Sequence, residues 1–245
     1  MSKNTRTRAA LAAAFVLGLS PSAIWGQAKE KICDNSVPAP PSGSCYIDNF
    51  KTGAVKMVGS LTQTTTTTQT GDGIYGGNRS IQMIPDWFGT NTFAQPAQVQ
   101  VRPSSTAAVP SALLLSNGYS AFPAVLVIYG DTTPLNLNMV PYNQFQLSFA
   151  GLSGALDLIF EAHDVTGAIG EVTCGPSPQS GEAFTLDIPL ANFSNPALDW
   201  SSISAILVGF YSADVYGTPN LAITGFSAIL PTDTTGTVSC GPPAN

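Results

Sequence analysis

The chain has 245 residues, of which 10% are charged, and its fifteen acidic residues outnumber its nine basic residues. This excess of negative charge argues against nucleic acid or an anionic membrane as a partner, because both carry charge of the same sign. The four cysteines and the single histidine are far apart in the sequence, which excludes the usual ligand spacing of zinc and multi-histidine sites.

The first 28 residues have the pattern of a secretory signal peptide. Three basic residues precede the apolar run "AALAAAFVLGL" and the small-residue segment "SPSAIWGQA", and the apolar run is too short to span a bilayer. Cleavage is expected after Ala28, with Ala23 and Gly26 as alternative sites. The remaining 217 residues contain six basic and fifteen acidic side chains, a formal charge of minus nine. We therefore expect a secreted protein, extracellular or periplasmic, without a membrane span.

The four cysteines predict two disulfides in an oxidising compartment. Three pairings are open. The favoured one joins Cys33 to Cys45, closing a Pro-rich N-terminal segment at residues 29–44, and joins Cys174 to Cys240, holding a C-terminal tail at residues 232–245.

Residues 45–231 are predicted to form one all-β domain. Helical periodicity is nearly absent, whereas β-branched runs with period-two alternation recur between Gly, Pro and Asn clusters. Such a pattern is typical of a β-sandwich or barrel. The predicted strands lie near "CYIDNF", "AVKMVGS", "LTQTTTTTQ", "SIQMI", "AQVQVR", "ALLLS", "AVLVIYG", "QFQLSFA", "ALDLIFEAH", "GEVTC", "FTLDIPL", "SAILVGFY" and "LAITGFSAI".

The threonine run at residues 64–68 has two interpretations. Threonine favours strands, and its methyl and hydroxyl groups suit a solvated or edge strand. The alternative is a repetitive recognition surface or a glycosylated one.

The stretch "GIYGGNRSIQM" contains one of two arginines outside the signal peptide, Arg79. As an exposed residue beside Gly76 and Gly77, it would bind a carboxylate or sugar hydroxyls. Strand alternation instead puts it on the apolar face of the strand, which favours a structural role for the arginine and for the two glycines. Its candidate partners are Asp48, Asp131 and Asp157.

Several aromatic residues lie in or beside turn-rich segments, where exposed rings stack on the apolar faces of sugars. The candidates for ligand binding are Trp87, Tyr119, Tyr211 and Tyr216. The alternative is that these rings cap the core at the strand ends.

The segment "FEAHDV" is the most enzyme-like cluster. On a strand, Glu161 and His163 share one face, while Asp164 takes the other and begins a turn. Acid–base catalysis needs two groups that converge in a cleft. Without a sign of that convergence, a solvated strand end is the favoured interpretation, and no catalytic residue is assigned.

In order and spacing, "YIDNFKTG", "GIYGGNRSIQM", "AVLVIYGD" and the strands from "FQLSFAG" to "LAITGFSAI" resemble secreted bacterial jelly-roll proteins of the PEP-CTERM-associated kind. The resemblance covers residues 45–230. It implies a single jelly-roll β-sandwich of two antiparallel sheets, similar to galactose-binding domains and carbohydrate-binding modules.

Two departures from that group matter. The tail "LPTDTTGTVSCGPPAN" lacks the sorting motif and its apolar helix, so release or non-covalent surface association is expected. Related carbohydrate-binding jelly rolls place a structural calcium near their first and last strands. Here Thr224 replaces an acidic residue and only Asp48 remains in the first strand, so neither calcium nor any other cofactor is expected.

These observations predict a non-enzymatic protein of the bacterial surface or extracellular matrix that binds a polysaccharide or a cell-surface glycan. The first alternative is a self-assembling structural protein. The second is a glycoside hydrolase or lyase that uses Glu161.

Overall fold

The computed structural model contains fourteen strands among the residues it describes. The described residues are 31–34, 44–60, 62–85, 97–104, 106, 109–116, 124–176, 181–212, 219–233 and 236–241. The strands are β1 (Cys45–Asp48), β2 (Val55–Val58), β3 (Thr65–Thr70), β4 (Asn78–Ile84), β5 (Gln98–Arg102), β6 (Ala112–Ser116), β7 (Ala124–Tyr129), β8 (Gln144–Ser153), β9 (Leu156–Asp164), β10 (Ile169–Cys174), β11 (Phe184–Pro189), β12 (Ile203–Ser212), β13 (Asn220–Ile229) and β14 (Val238–Ser239).

The strands form two sheets, which confirms the predicted all-β sandwich. The eight-stranded sheet has the order β14-β11-β8-β13-β6-β5-β2, and β1 also pairs with β13. The six-stranded sheet has the order β10-β9-β12-β7-β4-β3. Pairing within both sheets is antiparallel except between β11 and the short β14, which run parallel. Among the described residues, no helix is long and apolar enough to cross a membrane.

Aromatic rings from both sheets fill the centre of the sandwich. Phe145 of β8 and Phe226 of β13 face Phe160 of β9, with ring centroids 4.9 and 5.6 Å from the centroid of Phe160. Burial of each such side chain contributes about 2 kcal/mol. Trp200 packs at the margin of this cluster, and its ring centroid lies 5.0 Å from that of Phe193. Alternation along each strand therefore assigns one face to this core and leaves the other face outside.

Two disulfides are present, and they join Cys33 to Cys45 and Cys174 to Cys240. The first attaches residues 31–34 to β1. The second links the end of β10, in the six-stranded sheet, to the residue that follows β14 in the other sheet. The second disulfide therefore ties the two sheets together.

Candidate functional site

Arg79 lies inside the sandwich and is bonded to protein groups on every side. The guanidinium is 0% exposed and forms an ion pair with Asp48, which is also 0% exposed. Its Nε donates to Gln69 Oε1 at 2.8 Å, and its Nη2 donates to the carbonyl of Thr52 at 2.8 Å. Because these groups occupy all three nitrogens of a buried side chain, Arg79 does not face a ligand site.

The partner carboxylate, Asp48, is also bonded on both oxygens. The hydroxyl of Tyr129 donates to Oδ2 at 2.9 Å, and the backbone N–H of Phe50 donates to Oδ1 at 2.8 Å. Burial raises the pKa of Asp48, and the Arg79 guanidinium opposes that rise. Burial and the neighbouring Asp48 raise the pKa of Tyr129 well above its usual value. The cluster joins β1 of one sheet to β4 and β7 of the other.

The glycines before Arg79 shape the chain that enters β4. Gly76 and Gly77 have φ angles of 73° and 76°, in the left-handed region that glycine adopts without strain. A Cβ on Gly76 would lie 2.9 Å from Cδ2 of Leu135, which is closer than side chains pack. The glycine pair therefore turns the chain so that Arg79, the second residue of β4, lies on the inward face of that strand.

The enzyme-like cluster lies on the outer face of the six-stranded sheet. Glu161 Oε2 and His163 Nε2 are 3.0 Å apart, and both side chains are about one-third exposed at 28% and 33%. Glu171 of β10 lies directly opposite Glu161 in the strand register. These groups share a sheet surface, as the strand alternation predicts.

Asp164, the third member of that motif, turns the chain between β9 and β10. Its Oδ1 accepts the backbone N–H groups of Thr166 and Ala168 at 2.8 and 3.0 Å, and its Oδ2 accepts that of Asp199 at 3.0 Å. The Asp199 N–H, followed by the Thr166 hydroxyl, lowers the pKa of Asp164 to about 2. Asp164 therefore stabilises a turn and takes no part in a constellation with Glu161.

The predicted sugar-binding aromatics are only partly within the described residues. Tyr211 is half-buried on the outer face of the six-stranded sheet, where its ring crosses Gly209. A Cβ on Gly209 would lie 2.8 Å from Cε2 of that ring. Trp87, Tyr119 and Tyr216 lie outside the described residues.

A groove of about 520 Å³ lies on the outer face of the eight-stranded sheet, at the end where β8 and β6 finish and β13 and β5 begin. A row of uncharged polar residues crosses it. Gln98, Ser116, Asn220 and Ser153 are in direct register on four neighbouring strands, β5, β6, β13 and β8. Four strands at about 4.8 Å spacing make a row roughly 14 Å long.

A second row, one pleat further along the strands, forms the floor of the groove. Gln100 of β5 is in register with Leu114 of β6, which pairs with Ala222 of β13, which pairs with Gly151 of β8. Leu114 supplies apolar surface, while Ala222 and Gly151 leave room above the backbone. A register irregularity on either side of Ile223 lies next to this row.

The two rows result from ordinary strand alternation. In β5, Val99 and Val101 point into the core, so Gln98 and Gln100 point outward; in β6, Leu113 and Leu115 leave Leu114 and Ser116 outside. The sequence therefore contains the polar positions of each strand. It does not contain the cross-strand register that brings them into one row.

The chemistry of the groove is hydrogen bonding and apolar contact. Its lining comprises amides, hydroxyls, small or apolar residues and one charged side chain, Lys56, without Asp, Glu or His among the described residues. Amides and hydroxyls both donate and accept, which suits ligands rich in hydroxyl groups. The paired carboxylates that would favour hydrolysis or elimination are not in this lining, and Glu161 lies on the opposite sheet.

No cluster of three or more His, Cys, Asp or Glu side chains that could hold a metal occurs in the described part of the chain. At the position where the resemblance implies a structural calcium, both oxygens of Asp48 are bonded to protein donors. Thr224 directs its hydroxyl to the carbonyl of Ser148 at 3.3 Å.

Comparisons with known proteins give loose structural likenesses alone. No protein-family model matches the chain, and no curated protein matches it. The family 11 carbohydrate-binding module from Clostridium thermocellum in complex with a β-1,3-1,4-mixed-linked tetrasaccharide overlaps with a TM-score of 0.43 and 10% identity, over 78% of this chain and 98% of that one. The family 30 carbohydrate-binding module of a cellulosomal cellulase of the same organism overlaps with a TM-score of 0.41 and 13% identity, over 73% of this chain and 99% of that one.

An agarase overlaps with a TM-score of 0.40 and 12% identity over 60% of this chain. This chain spans only 26% of the agarase and 22% of another large protein that it overlaps. At TM-scores of this size, the likenesses carry no argument about a ligand for this chain.

Proposed function

We propose that this protein binds a polysaccharide in the groove on its eight-stranded sheet. The observation that carries the proposal is the register of Gln98, Ser116, Asn220 and Ser153 across four strands, above a floor that contains Leu114. Sugars present hydroxyl groups at their edges and C–H groups on their faces. A row of neutral amides and hydroxyls beside apolar surface matches both features.

The direction of the rows indicates how the glycan lies. Both rows run across the strands, and the polar row extends for about 14 Å at ordinary strand spacing. A single sugar would occupy only part of that length. The proposed ligand is therefore a chain segment that crosses the strands, with several sugar units in contact.

The proposal extends to three of the aromatic residues expected to stack on sugars. In the sequence, the connection at residues 86–96 leads to Gln98, the one at 117–123 follows Ser116, and the one at 213–218 leads to Asn220. Trp87, Tyr119 and Tyr216 thus belong to connections that join the polar row. We propose that their rings contact the same glycan, whereas Tyr211 lies on the other sheet.

The proposed place of action is outside the cell, at the bacterial surface or in the extracellular matrix. Two disulfides are typical of proteins from oxidising compartments. The signal-peptide pattern and the resemblance to PEP-CTERM-associated proteins support export and a surface role.

A pull-down of the mature protein on a panel of insoluble polysaccharides tests the proposal. Retention on at least one polysaccharide is expected. Gln98→Ala/Gln100→Ala removes two amide groups from the groove, which costs about 1 kcal/mol for each hydrogen bond and weakens retention roughly tenfold or more. Glu161→Ala, on the opposite sheet, is the matched control and should be retained like the wild type. Equal retention of both variants, or no retention on any polysaccharide, contradicts the proposal.

A second candidate function is self-assembly through β3, which is an edge strand of the six-stranded sheet. Its residues, five threonines and Gln69, carry no charge, and among the described residues β4 is its only strand partner. At the other edge of the same sheet, β10 has a backbone partner outside the sheet, because the N–H of Ser194 donates to the carbonyl of Glu171 at 3.0 Å. Size-exclusion chromatography of the mature protein tests this candidate, since a species larger than the monomer supports it.

A further inference from the structure

We propose that the groove selects acidic polysaccharides, placing a carboxylate or sulfate group of the sugar against Lys56 and Arg102. This inference rests on the proposed polysaccharide-binding function and names the class of glycan that the site takes. A uronic acid and a sulfate ester share the relevant chemistry, an anionic group with several acceptor oxygens.

The two basic side chains are neighbours on the outer face of β2 and β5, where Lys56 lines the groove and Arg102 lies one pleat beyond its lining. Lys56 of β2 is exposed, lines the groove and is in register with Gln100 of β5. Arg102 is exposed and follows Gln100 by two residues, so it lies on the same face of β5. Diagonal neighbours of this kind have Cα atoms about 7 Å apart, within reach of one anionic group. We call Lys56 and Arg102 the basic corner.

The basic corner is unusual for this protein. Only six basic residues follow the predicted signal peptide, against fifteen acidic ones, and Arg79 among them is buried. Two of the remaining five therefore meet on one face of one sheet. Neither Lys56 nor Arg102 forms an ion pair with a carboxylate of the described residues.

Carboxylates are absent from the described lining of the groove. The residue after Gly181, Glu182, is exposed, but Gly181 borders the groove at the β8 side, opposite the basic corner. The groove is therefore positive at the β2 side. The negative charge of the whole chain is screened beyond about 8 Å at physiological ionic strength, so the basic corner controls contact with the ligand.

The two side chains suit an anionic sugar in different ways. The Arg102 guanidinium offers a planar set of donors that bonds two oxygens of a carboxylate or sulfate, and the Lys56 ammonium is a compact charge. The neutral row of amides and hydroxyls contacts any sugar equally well. Discrimination between acidic and neutral glycans therefore comes from the basic corner, at about fivefold in affinity for each exposed charge.

Titration calorimetry of the mature protein with three soluble polymers tests the inference. The polymers are a neutral galactan, polygalacturonate and a sulfated galactan. At physiological ionic strength, where the negative charge of the whole chain is screened, at least one acidic polymer should bind about tenfold or more tightly than the neutral one, and the difference should shrink as salt is raised further. The acidic polymer that binds identifies the carboxylate or the sulfate as the preferred group.

Charge-removing variants complete the test. Lys56→Gln/Arg102→Gln should lower the affinity for the acidic polymer about tenfold or more and lower that for the neutral polymer much less, so that the preference for the acidic polymer disappears. Lys31→Gln removes an exposed charge outside the groove lining and should behave like the wild type. Circular dichroism confirms that the variants fold.

The contradictory results are distinct for the two proposals. Equal affinity of the wild type for the neutral and acidic polymers overturns the inference and leaves polysaccharide binding standing. A preference for acidic polymers that survives in Lys56→Gln/Arg102→Gln also overturns it. Failure to bind any of the three polymers or the insoluble panel overturns both proposals.

Discussion

At the scale of single residues, Arg79 shows how far a sequence pattern leads. Alternation with the apolar positions of its strand favoured an inward side chain, and Asp48 was one of three candidate carboxylates. In the structure Arg79 is 0% exposed and pairs with Asp48. The sequence could not select Asp48 over Asp131, because that choice depends on how β1 of one sheet faces β4 of the other.

Arg79→Ala should strongly destabilise the protein. Removing one member of a buried ion pair leaves Asp48 charged and uncompensated, which costs about 3–5 kcal/mol. For a chain of this size, the melting temperature falls by on the order of 10 °C. Thermal unfolding of the mature protein measures the fall in melting temperature, and denaturant unfolding measures the loss of unfolding free energy.

Asp48→Asn added to Arg79→Ala serves as the control, since it removes the uncompensated charge and should recover part of the loss. A melting temperature for Arg79→Ala equal to that of the wild type, together with lost glycan binding, would show that Arg79 acts on a ligand.

Asp164 should make stability depend on pH in acid. Its pKa is about 2 in the folded protein, below the usual value near 3.8. Between these pH values the unfolded chain binds more protons than the folded one, so stability rises with pH there. The stabilisation by ionised Asp164 is fully present above pH 4 and is lost as pH falls towards 2.

Urea unfolding of the wild type and of Asp164→Asn measures this effect. The difference between their free energies of unfolding should narrow as pH falls from 4 to 2, and a constant difference would be inconsistent with the assigned role of Asp164.

At the scale of elements, thirteen of the fourteen described strands overlap predicted runs, the short β14 lies in the predicted tail, and the neighbours of the strands were not predictable. Runs such as "AVKMVGS" and "AQVQVR" contain β2 and β5, because valine favours strands and its alternation with polar residues suits a strand with one buried face. The parallel pair of β11 and β14 departs from the expected antiparallel sheets. β14 ends immediately before Cys240, and the pairing with β11 continues there because the Cys240 N–H donates to the carbonyl of Asp187 at 2.8 Å.

The groove was missed for the same reason. Its polar row combines residues from four strands that are far apart in the sequence, and one residue of register shift would turn each of them inward. The available signal was the outward pair of glutamines in "AQVQVR". Glutamine at two successive outward positions suits a solvated face as well as a binding site.

If β3 mediates self-association, charges on that strand should abolish it. Thr66 and Thr68 are exposed positions of β3, and Thr66→Lys/Thr68→Lys would place like charges opposite each other in a paired edge. Sedimentation velocity should then show only the monomer, whereas Lys31→Gln should match the wild type. An oligomer that persists in the double lysine variant would place the contact elsewhere.

At the scale of the whole molecule, the two disulfides should differ in their effect on stability. Cys174–Cys240 closes a loop of 66 residues and Cys33–Cys45 one of 12. In the chain-entropy model these contribute about 4 and about 3 kcal/mol. Cys174→Ser/Cys240→Ser should therefore unfold at lower denaturant than Cys33→Ser/Cys45→Ser. The reverse order would mean that the link between the two sheets is not the more stabilising one.

The sandwich separates two outer faces with different chemistry. The six-stranded sheet carries Tyr211 and the Glu161–His163 pair, whereas the eight-stranded sheet carries the groove and the basic corner. The proposed function assigns the ligand to the second face. Any glycan contact on the first face would call for a different account.

Backbone amide shifts during titration with a bound oligosaccharide test that assignment most directly. Polysaccharide binding in the groove predicts the largest shifts at Gln98, Ser116, Asn220 and Ser153, with little change around Tyr211 and Glu161. Shifts centred on Tyr211 and Glu161, with the groove unchanged, would contradict it.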